Sequence, residues 1–346
     1  MKAARLYEYD PDLKGTEFVR LEDVPEPRIE EPDDVIVRVG GAGLCRTDIH
    51  VIQGLWDEAL VVEPPYVLGH ENAGWVEEVG SGVRHLSPGE AVAVLPGLSC
   101  GLCRACRRGV DNLCETLVWI GIQKDGGFAE LVRARERNLI RLPNGLTPRD
   151  AAPYADAGLT AYHAAKRAAA VVPPDGTAVI LGVGGLGHAA IQALRALSPA
   201  RIVAVDISEV ARQLAEDLGV EEVVDGSDSP VERVHDLTQG KGADVVLDFV
   251  AEGDVPAQAV AMLRPGGTCL VVGYGGTLEV PTMDLLTEKR IIGNIGGTSA
   301  EMLELIALAG RGTIRLEIQE FPLDRINEAI ANLRDLRIRG RAVLVP

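Results

Sequence analysis

The sequence is poor in basic residues and in long hydrophobic stretches. Its 346 residues include 34 Lys and Arg against 51 Asp and Glu, which gives a formal net charge of −17 and a pI near 4.8. This charge excludes a nonspecific binder of nucleic acid or of anionic membrane, since like charges repel. No run approaches the roughly 18 apolar residues of a membrane span, and the first ten residues lack the apolar segment of a signal peptide. We therefore expect a cytoplasmic protein.

Lysine is especially scarce, because only 6 of the 34 basic residues are Lys. Scarce Lys with abundant Asp and Glu is typical either of a salt-adapted surface or of an ordinary acidic enzyme from an Arg-biased genome. The hydrophobic fraction of 47% is not reduced, which favours the second interpretation. The length indicates about two domains.

Six cysteines are present, and four of them fall within 15 residues at separations of 3, 3 and 8. Such spacing lets four thiolates from one loop converge on a tetrahedral ion, which is typical of structural zinc. A disulfide scaffold would spread its cysteines through a short secreted chain. An iron–sulfur cluster and a redox Cys-x-x-Cys pair remain alternatives. The predicted ligands are Cys100, Cys103, Cys106 and Cys114.

The pattern of apolar residues changes along the chain. Residues 1–150 predict mostly short strands interrupted by Pro and Gly, for example at 34–39, 90–95 and 128–133. From about residue 156, predicted strands and helices alternate, which indicates a doubly wound parallel sheet. The segment from about Thr313 returns to a strand-like pattern.

A glycine-rich loop follows the predicted strand Thr177–Gly182. Residues 182–187 fit G-x-G-x-x-G, in which the glycines permit a tight turn, close approach of phosphate and close helix–strand packing. Asp206 ends the next predicted strand, 19 residues beyond Gly187. An acid there accepts hydrogen bonds from ribose hydroxyls and repels a 2′-phosphate, so NAD is favoured over NADP. Arg212, six residues on, is expected to flank the adenine ribose without changing this preference.

Two further motifs, C-R-T-D-I-H at 45–50 and G-H-E at 69–71, precede the four-cysteine segment. Together with that segment and the glycine-rich loop, they resemble the zinc-dependent medium-chain alcohol dehydrogenases over nearly the whole chain. The resemblance implies an α/β protein with a GroES-like, mostly-β catalytic domain (1–156 and 312–346) and an inserted Rossmann domain (157–311). It also implies two zinc ions per chain, one catalytic and one structural.

The resemblance assigns Cys45 and His70 to the catalytic zinc. Asp156 is the expected third ligand, at a position where many family members have Cys, and Glu71 is the competing ligand. Open coordination at zinc lets an alcohol oxygen bind with a lowered pKa. Asp48 is expected to hold the ring of His70.

The resemblance also supplies a proton relay and a coenzyme site. Thr47 would take the alcohol proton, which would pass to His50 at the protein surface. Leu186 and Thr160 would contact the nicotinamide, and Arg341 would bind the pyrophosphate. Trp56 and Trp119 either line an apolar substrate cleft or fill core. The predicted coenzyme-binding residues are Gly182, Gly184, Gly185, Leu186, Gly187, Asp206, Arg212, Thr160 and Arg341.

The sequence therefore predicts reversible hydride transfer between an alcohol, primary or secondary and carrying hydrophobic substituents, and NAD, which yields an aldehyde or ketone. A polyol or sugar dehydrogenase on the same scaffold is the alternative. A noncatalytic zinc and nucleotide-binding protein would lack the relay or part of the zinc shell. The resemblance further implies a homo-oligomer, a tetramer or a dimer.

Overall fold

The computed structural model describes residues 1–55 and 63–346, which form two compact units. Unit 1 comprises residues 1–159, 298–312 and 316–346, and unit 2 comprises residues 160–297 and 313–315. The predicted boundaries differ from these mainly at 298–311, which the sequence assigned to the inserted domain. In the structure, Ser299 N–H donates to Asp111 Oδ1 at 3.1 Å, and Gly310 lies against Pro143. Both contacts tie this segment to unit 1.

The strands of unit 1 build a three-stranded sheet (order β2-β1-β4), a larger sheet (order β10-β6-β5-β3-β18-β17, with β9 also pairing β3) and a small β7-β8 pair. They are β1 (Lys2–Leu6), β2 (Arg20–Asp23), β3 (Asp34–Leu44), β4 (Tyr66–Val67), β5 (Glu71–Val79), β6 (Ala91–Val94), β7 (Gly97–Leu98), β8 (Val118–Trp119), β9 (Leu131–Arg135), β10 (Leu139–Arg141), β17 (Ile318–Pro322) and β18 (Arg341–Val345).

The strand β3 is the centre of the larger sheet. It pairs antiparallel with β5, β9 and β18, so that the C-terminal strand of the chain completes a sheet begun near its start. In this register Leu44 lies opposite Ala342 and Gly43 lies opposite both Glu71 and Val343. Residues near 44, 71 and 342 are thereby brought to one place in unit 1.

Unit 2 contains a parallel six-stranded sheet in the order β13-β12-β11-β14-β15-β16. Its strands are β11 (Thr177–Leu181), β12 (Arg201–Asp206), β13 (Glu222–Asp225), β14 (Ala243–Asp248), β15 (Leu263–Val271) and β16 (Arg290–Gly293). This order places the topological switch point between β11 and β14, where ligands of doubly wound sheets bind. The predicted Rossmann fold is confirmed.

The helices between the strands of unit 2 match the alternation that the sequence indicates. The helix Ile326–Arg334 lies in the stretch expected to be strand-like; its apolar residues Ile326, Ala329 and Ile330 have helical spacing and are buried. The α-helices are Arg46–Ile52, Arg104–Arg107, Pro148–Ala151, Ala157–Ala169, Gly187–Leu197, Glu209–Asp217, Pro230–Leu237, Val255–Ala261, Thr282–Leu285, Ser299–Gly310 and Ile326–Arg334. Short 3-10 helices are Asp111–Leu113, Glu136–Asn138, Ala152–Tyr154 and Leu323–Arg325.

Each unit has its own core of buried hydrophobic side chains. The core of unit 2 includes Cys269, which is fully buried and whose pKa is raised by burial to about 12, as expected of an inert core thiol. Within the described part of the chain, no helix is long and apolar enough to cross a membrane.

Phe128 is the largest fully buried side chain of the unit 1 core. We expect Phe128→Ala to lower the free energy of unfolding by about 3–5 kcal/mol, through lost burial and a residual cavity. Leu303→Ala serves as the control, because Leu303 is 57% exposed and its truncation should cost little. Denaturant titrations measure both variants, and equal stability losses would contradict the assignment of Phe128 to the core.

Candidate metal centres and dinucleotide-binding loop

Three potential metal ligands converge in unit 1. Cys45 follows β3 and precedes the helix Arg46–Ile52, His70 directly precedes β5, and Asp156 lies just before the helix Ala157–Ala169. Asp156 Oδ2 is 3.5 Å from Cys45 Sγ and 3.4 Å from His70 Nε2. The Cys45 and His70 side chains are almost completely buried, so their donor atoms are held away from bulk water.

The geometry of this cluster suits zinc. Tetrahedral coordination at usual zinc–ligand lengths separates sulfur from oxygen by about 3.6 Å and nitrogen from oxygen by about 3.4 Å. The observed separations agree with both values, and the three donor atoms all lie within 4.8 Å of one another. Cys45, His70 and Asp156 are therefore a suitable three-ligand set.

Asp48 fixes the orientation of the His70 ring. Its Oδ1 lies 3.2 Å from His70 Nδ1, and its Oδ2 accepts a hydrogen bond from Cys45 N–H at 2.8 Å. Burial alone would lower the pKa of His70, but the charge of Asp48 and the hydrogen bonds with Asp156 and Asp48 raise it well above its usual range. Asp48 thus contacts two of the three donor residues, whereas the resemblance assigned it to His70 alone.

Glu71 and Arg341 form a buried ion pair behind the three donors. Arg341 Nε donates to Glu71 Oε2 at 2.7 Å, and Glu71 Oε1 accepts from Ala157 N–H at 2.7 Å. Burial raises the pKa of Glu71 to about 7, despite the opposing charge of Arg341. Both Glu71 oxygens are therefore already hydrogen-bonded, and Glu71 does not belong to the convergent donor set.

Arg341 also contacts the predicted third ligand. Its second guanidinium nitrogen, Nη2, donates to Asp156 Oδ2 at 3.4 Å. Burial disfavours the charged form of Asp156, but the hydrogen bond and charge of His70, together with Arg341, lower its pKa to about 2. The contacts of Arg341 in unit 1 are thus with two carboxylates, whereas its predicted contact with pyrophosphate stays a prediction.

A glycine makes room for the Glu71 carboxylate. A Cβ atom added to Gly43 would lie 1.7 Å from Glu71 Oε2. The Glu71 side chain can therefore occupy its position only because residue 43 is a glycine. Neither this requirement nor the Glu71–Arg341 pair followed from the sequence motifs. The register of β3 with β5 and β18, which only the fold defines, brings these residues together.

The four-cysteine segment folds into the second cluster. The Sγ atoms of Cys100, Cys103, Cys106 and Cys114 all lie within 4.8 Å of one another, and the Cys103 and Cys114 sulfurs are 3.9 Å apart. A tetrahedral zinc–thiolate site places its sulfurs about 3.8 Å apart. The segment therefore fits a closed metal site built from sulfur alone.

Backbone N–H groups stabilise thiolate character at this cluster. Leu102 N–H and Cys103 N–H donate to Cys100 Sγ at 3.4 and 3.3 Å, and these bonds lower the pKa of Cys100 to about 6. Cys100 N–H donates to Cys114 Sγ at 3.2 Å. Charge repulsion and burial act against four neighbouring thiolates, and burial raises the pKa of Cys106 to about 12. A bound cation removes this conflict.

The glycine-rich loop in unit 2 connects β11 to the helix Gly187–Leu197. Gly182 has a φ of +85°, and a Cβ added to Gly187 would lie 1.9 Å from the Gly182 carbonyl oxygen. At Gly184, in contrast, an added Cβ would meet no atom within 4 Å. The first and third motif glycines therefore serve the turn and the packing, while the second opens a space beside the backbone, as a phosphate site requires.

Asp206 is attached to this loop. Its Oδ2 accepts from Val183 N–H at 2.7 Å and its Oδ1 from Ser208 N–H at 2.8 Å. Burial raises its pKa, against the effect of these bonds. Arg212 donates to the backbone carbonyls of residues 206 and 207 and pairs with Asp225 at 3.1 Å. It therefore lies beside Asp206, the residue predicted to bind the ribose hydroxyls.

Other predicted site residues have mixed outcomes. The expectation that His50 lies at the surface is wrong: it is 4% exposed, because residues 48–52 of the helix Arg46–Ile52 are buried on every side. Thr47 on the same helix is half-buried. Trp119, in β8, packs partly buried against the unit 1 core, and Trp56 lies outside the described residues.

In unit 2, Thr160 is buried, and Gly185 and Leu186 are half-buried in the loop. No sequence motif indicated a role for His188, which contacts the glycine-rich loop. His188 is fully buried, and its Nδ1 lies 2.9 Å from the Gly184 carbonyl oxygen. Its position four residues after Gly184, on the first turn of the helix, was the available signal.

Two stretches of the chain match known domains. Residues 31–144 match the alcohol dehydrogenase GroES-like domain, and residues 185–311 match the zinc-binding dehydrogenase domain. The fold, the open donor set and the four-cysteine site thus define a zinc-binding dehydrogenase.

Full-length relatives agree with this class. The chain is 35% identical over 356 residues to an NAD-dependent alcohol dehydrogenase of Sulfurisphaera tokodaii, with 100% of each chain covered. It is 33% identical over 340 residues, 96% of each, to a D-arabinose 1-dehydrogenase (NADP(+)) of Saccharolobus solfataricus. The crystal structure of the alcohol dehydrogenase from Aeropyrum pernix matches with a TM-score of 0.96 and 43% identity over 100% of both chains.

The chain therefore belongs to the zinc-dependent medium-chain alcohol dehydrogenase family. The predictions of the family, the fold class and the enzyme class are confirmed.

The different surroundings of two loop glycines lead to opposite expectations. Gly187→Ala places a Cβ against the Gly182 carbonyl, so we expect a clear loss of thermal stability. Gly184→Ala meets open space, so the melting temperature should stay within a few degrees while the dissociation constant for NAD rises, because the methyl group occupies the phosphate approach. Thermal unfolding and NAD titration of both variants check this, and unchanged NAD affinity in Gly184→Ala would refute the role of Gly184.

Proposed function

We propose that the chain transfers hydride reversibly between NAD and a primary or secondary alcohol with hydrophobic substituents, yielding an aldehyde or ketone. The convergence of Cys45, His70 and Asp156 carries this proposal. Three protein ligands leave one position of a tetrahedral ion for substrate, which distinguishes catalytic from closed zinc sites. The dinucleotide loop in the same chain supports NAD as the second reactant.

The chain's own residues would prepare the site for this chemistry. A zinc ion held there supplies Lewis acidity toward the substrate oxygen. Asp48 fixes the ring of His70 through Nδ1, which leaves Nε2 directed at the donor cluster. The Glu71–Arg341 pair holds Asp156 in place through the bond from Arg341 Nη2.

Thr47 and His50 would move the alcohol proton. They lie three residues apart on the helix Arg46–Ile52 and so share one side of it. A hydroxyl can accept and donate a proton at one oxygen, and a neutral imidazole can accept a proton at one ring nitrogen and donate from the other. The burial of His50 means that the relay ends inside unit 1, and the proton needs a further carrier to reach solvent.

We further propose two zinc ions per chain, with the four-cysteine ion purely structural. Its four thiolates fill a tetrahedral shell and leave no position for substrate. The resemblance to the family implies a homo-oligomer. The apolar side chains of Met283 and Leu286, which are 71% and 73% exposed, support this proposal. A cytoplasmic location stays a prediction.

Metal analysis distinguishes the two sites. We expect two zinc ions per chain in the wild type, about one in Asp156→Ala with turnover abolished, and about one in Cys103→Ala with a lower melting temperature. Asp150→Ala, which removes a partly exposed carboxylate from the preceding helix, should keep both ions and full activity. If Asp156→Ala retained two zinc ions, Asp156 would not be the third ligand.

A substrate panel tests the reaction itself. Primary, secondary, aromatic and polyol substrates are assayed with NAD and with NADP, and we expect the highest kcat/KM for apolar alcohols with NAD. In Asp206→Ser, the ratio of kcat/KM for NAD to that for NADP should fall at least tenfold, because the carboxylate that accepts from ribose hydroxyls and repels a 2′-phosphate is gone. An unmoved ratio would show that Asp206 does not read the ribose.

One observation supports the alternative, a polyol or sugar dehydrogenase: a D-arabinose 1-dehydrogenase is 33% identical to this chain. Highest kcat/KM for polyols or sugars in the same panel would establish it.

A further inference from the structure

A second aspartate ends a strand of the unit 2 sheet, and no motif drew attention to it. Asp248 is the last residue of β14 and lies opposite Leu181, the last residue of β11. These two strands flank the topological switch point, where doubly wound sheets bind their ligand. The side chain is fully buried, with 0% exposure.

Asp248 accepts hydrogen bonds from two neighbouring turns. Its Oδ1 accepts from Val250 N–H and from Ala251 N–H, each at 2.9 Å. Its backbone carbonyl accepts from Val272 N–H at 2.8 Å and from Gly273 N–H at 2.9 Å. One residue thus accepts hydrogen bonds from four backbone N–H groups at the carboxyl ends of β14 and β15.

The turn held by Oδ1 supports the glycine-rich loop. A Cβ added to Gly182 would lie 2.7 Å from Val250 Cγ2, so Val250 packs directly against the first glycine of that loop. Ala251 has a φ of +49°, which a residue with a Cβ adopts only when its surroundings enforce it. The Ala251 carbonyl in turn accepts from Gly276 N–H at 2.9 Å.

The other carboxyl oxygen has a different environment. Among the described residues, Asp248 Oδ2 has no hydrogen-bond partner. Burial raises the pKa of Asp248, against the effect of its two backbone bonds, and the titratable group with which it interacts is the buried thiol of Cys269. Oδ2 therefore makes no hydrogen bond that a neutral side chain in the place of the carboxylate would lose.

We propose that Asp248 is a positioning residue for NAD, which holds the 249–251 turn against Gly182 through the acceptor Oδ1 and needs no charge to do so. This inference rests on the proposed NAD-binding function. Without Oδ1, two N–H groups lose their acceptor and the turn relaxes, which frees the Gly182 turn that opens the loop. NAD affinity then falls although Asp248 itself touches no part of the dinucleotide.

Asp244 provides a matched control on the same strand. Its Oδ2 accepts from Thr177 N–H at 2.8 Å and its Oδ1 from Arg264 Nε at 2.6 Å, so it also links β14 to β11. Four residues along a strand span about 13 Å. Asp244 therefore lies near the amino ends of the strands, whereas the glycine-rich loop lies at their carboxyl ends. Its loss should affect stability without affecting the loop.

The experiment compares full-length Asp248→Ala, Asp248→Asn and Asp244→Ala with the wild type. Calorimetric titration with NAD gives the dissociation constant, and thermal unfolding gives stability. We expect Asp248→Ala to raise the dissociation constant about tenfold or more, because the 249–251 turn loses two backbone hydrogen bonds and no longer holds Gly182 in place. Asp248→Asn keeps an acceptor oxygen and should stay within about twofold of the wild type. Asp244→Ala should lower the melting temperature and leave NAD affinity unchanged.

Three results would overturn the proposal: wild-type affinity in Asp248→Ala, an equal loss of affinity in Asp244→Ala, or a loss in Asp248→Asn as large as in Asp248→Ala. If Asp248→Ala does not fold, Asp248→Ser replaces it, because its shorter hydroxyl cannot reach both N–H groups and should weaken NAD binding in the same direction. Failure of the wild type to bind NAD would refute the proposed function instead, so the two failures are distinguishable.

Discussion

The three-donor cluster of unit 1 depends on the ion pairs that the buried guanidinium of Arg341 makes. The guanidinium contacts Glu71 and Asp156, which lie 270 and 185 residues earlier in the chain. Breaking a buried ion pair by removing one partner is strongly destabilising, because the remaining charge is left without compensation. The C-terminal strand β18 is therefore more than an edge that completes a sheet, since it brings the cation that lets two acids lie beside Cys45 and His70.

The same site shows how steric constraints select a short motif. Gly69 has a φ of +99°, and a Cβ there would lie 2.5 Å from Phe128 Cδ1. His70 can enter the donor cluster only because the residue before it is a glycine. Gly43 provides the corresponding space for Glu71 on the facing strand. The G-H-E sequence therefore needs two glycines, and one of them is distant in the chain.

What the sequence predicts well is what depends on local spacing. The four cysteines converge because they share one short segment, and the 182–187 loop turns because its own glycines allow it. What it predicts poorly depends on strand register and on burial of whole faces. The Glu71–Arg341 pair requires β18 to lie beside β3, and His50 is buried because of the packing of its helix. No pattern local to positions 50, 71 or 341 contains this information.

Two aspartate carboxylates in unit 2 differ in their degree of burial, and this difference determines what each can contact. Asp206 and Asp248 each end a parallel strand, and each accepts two backbone N–H groups from the turns near it. Asp206 is only partly buried, so its remaining lone pairs are accessible to a ribose hydroxyl, and its bond to Val183 N–H fixes it to the glycine-rich loop. Asp248 is fully buried and can act on a ligand only through the backbone that it holds. The degree of burial therefore leaves only Asp206 able to contact a ligand directly, whereas Asp248 can act only through the turn that it holds.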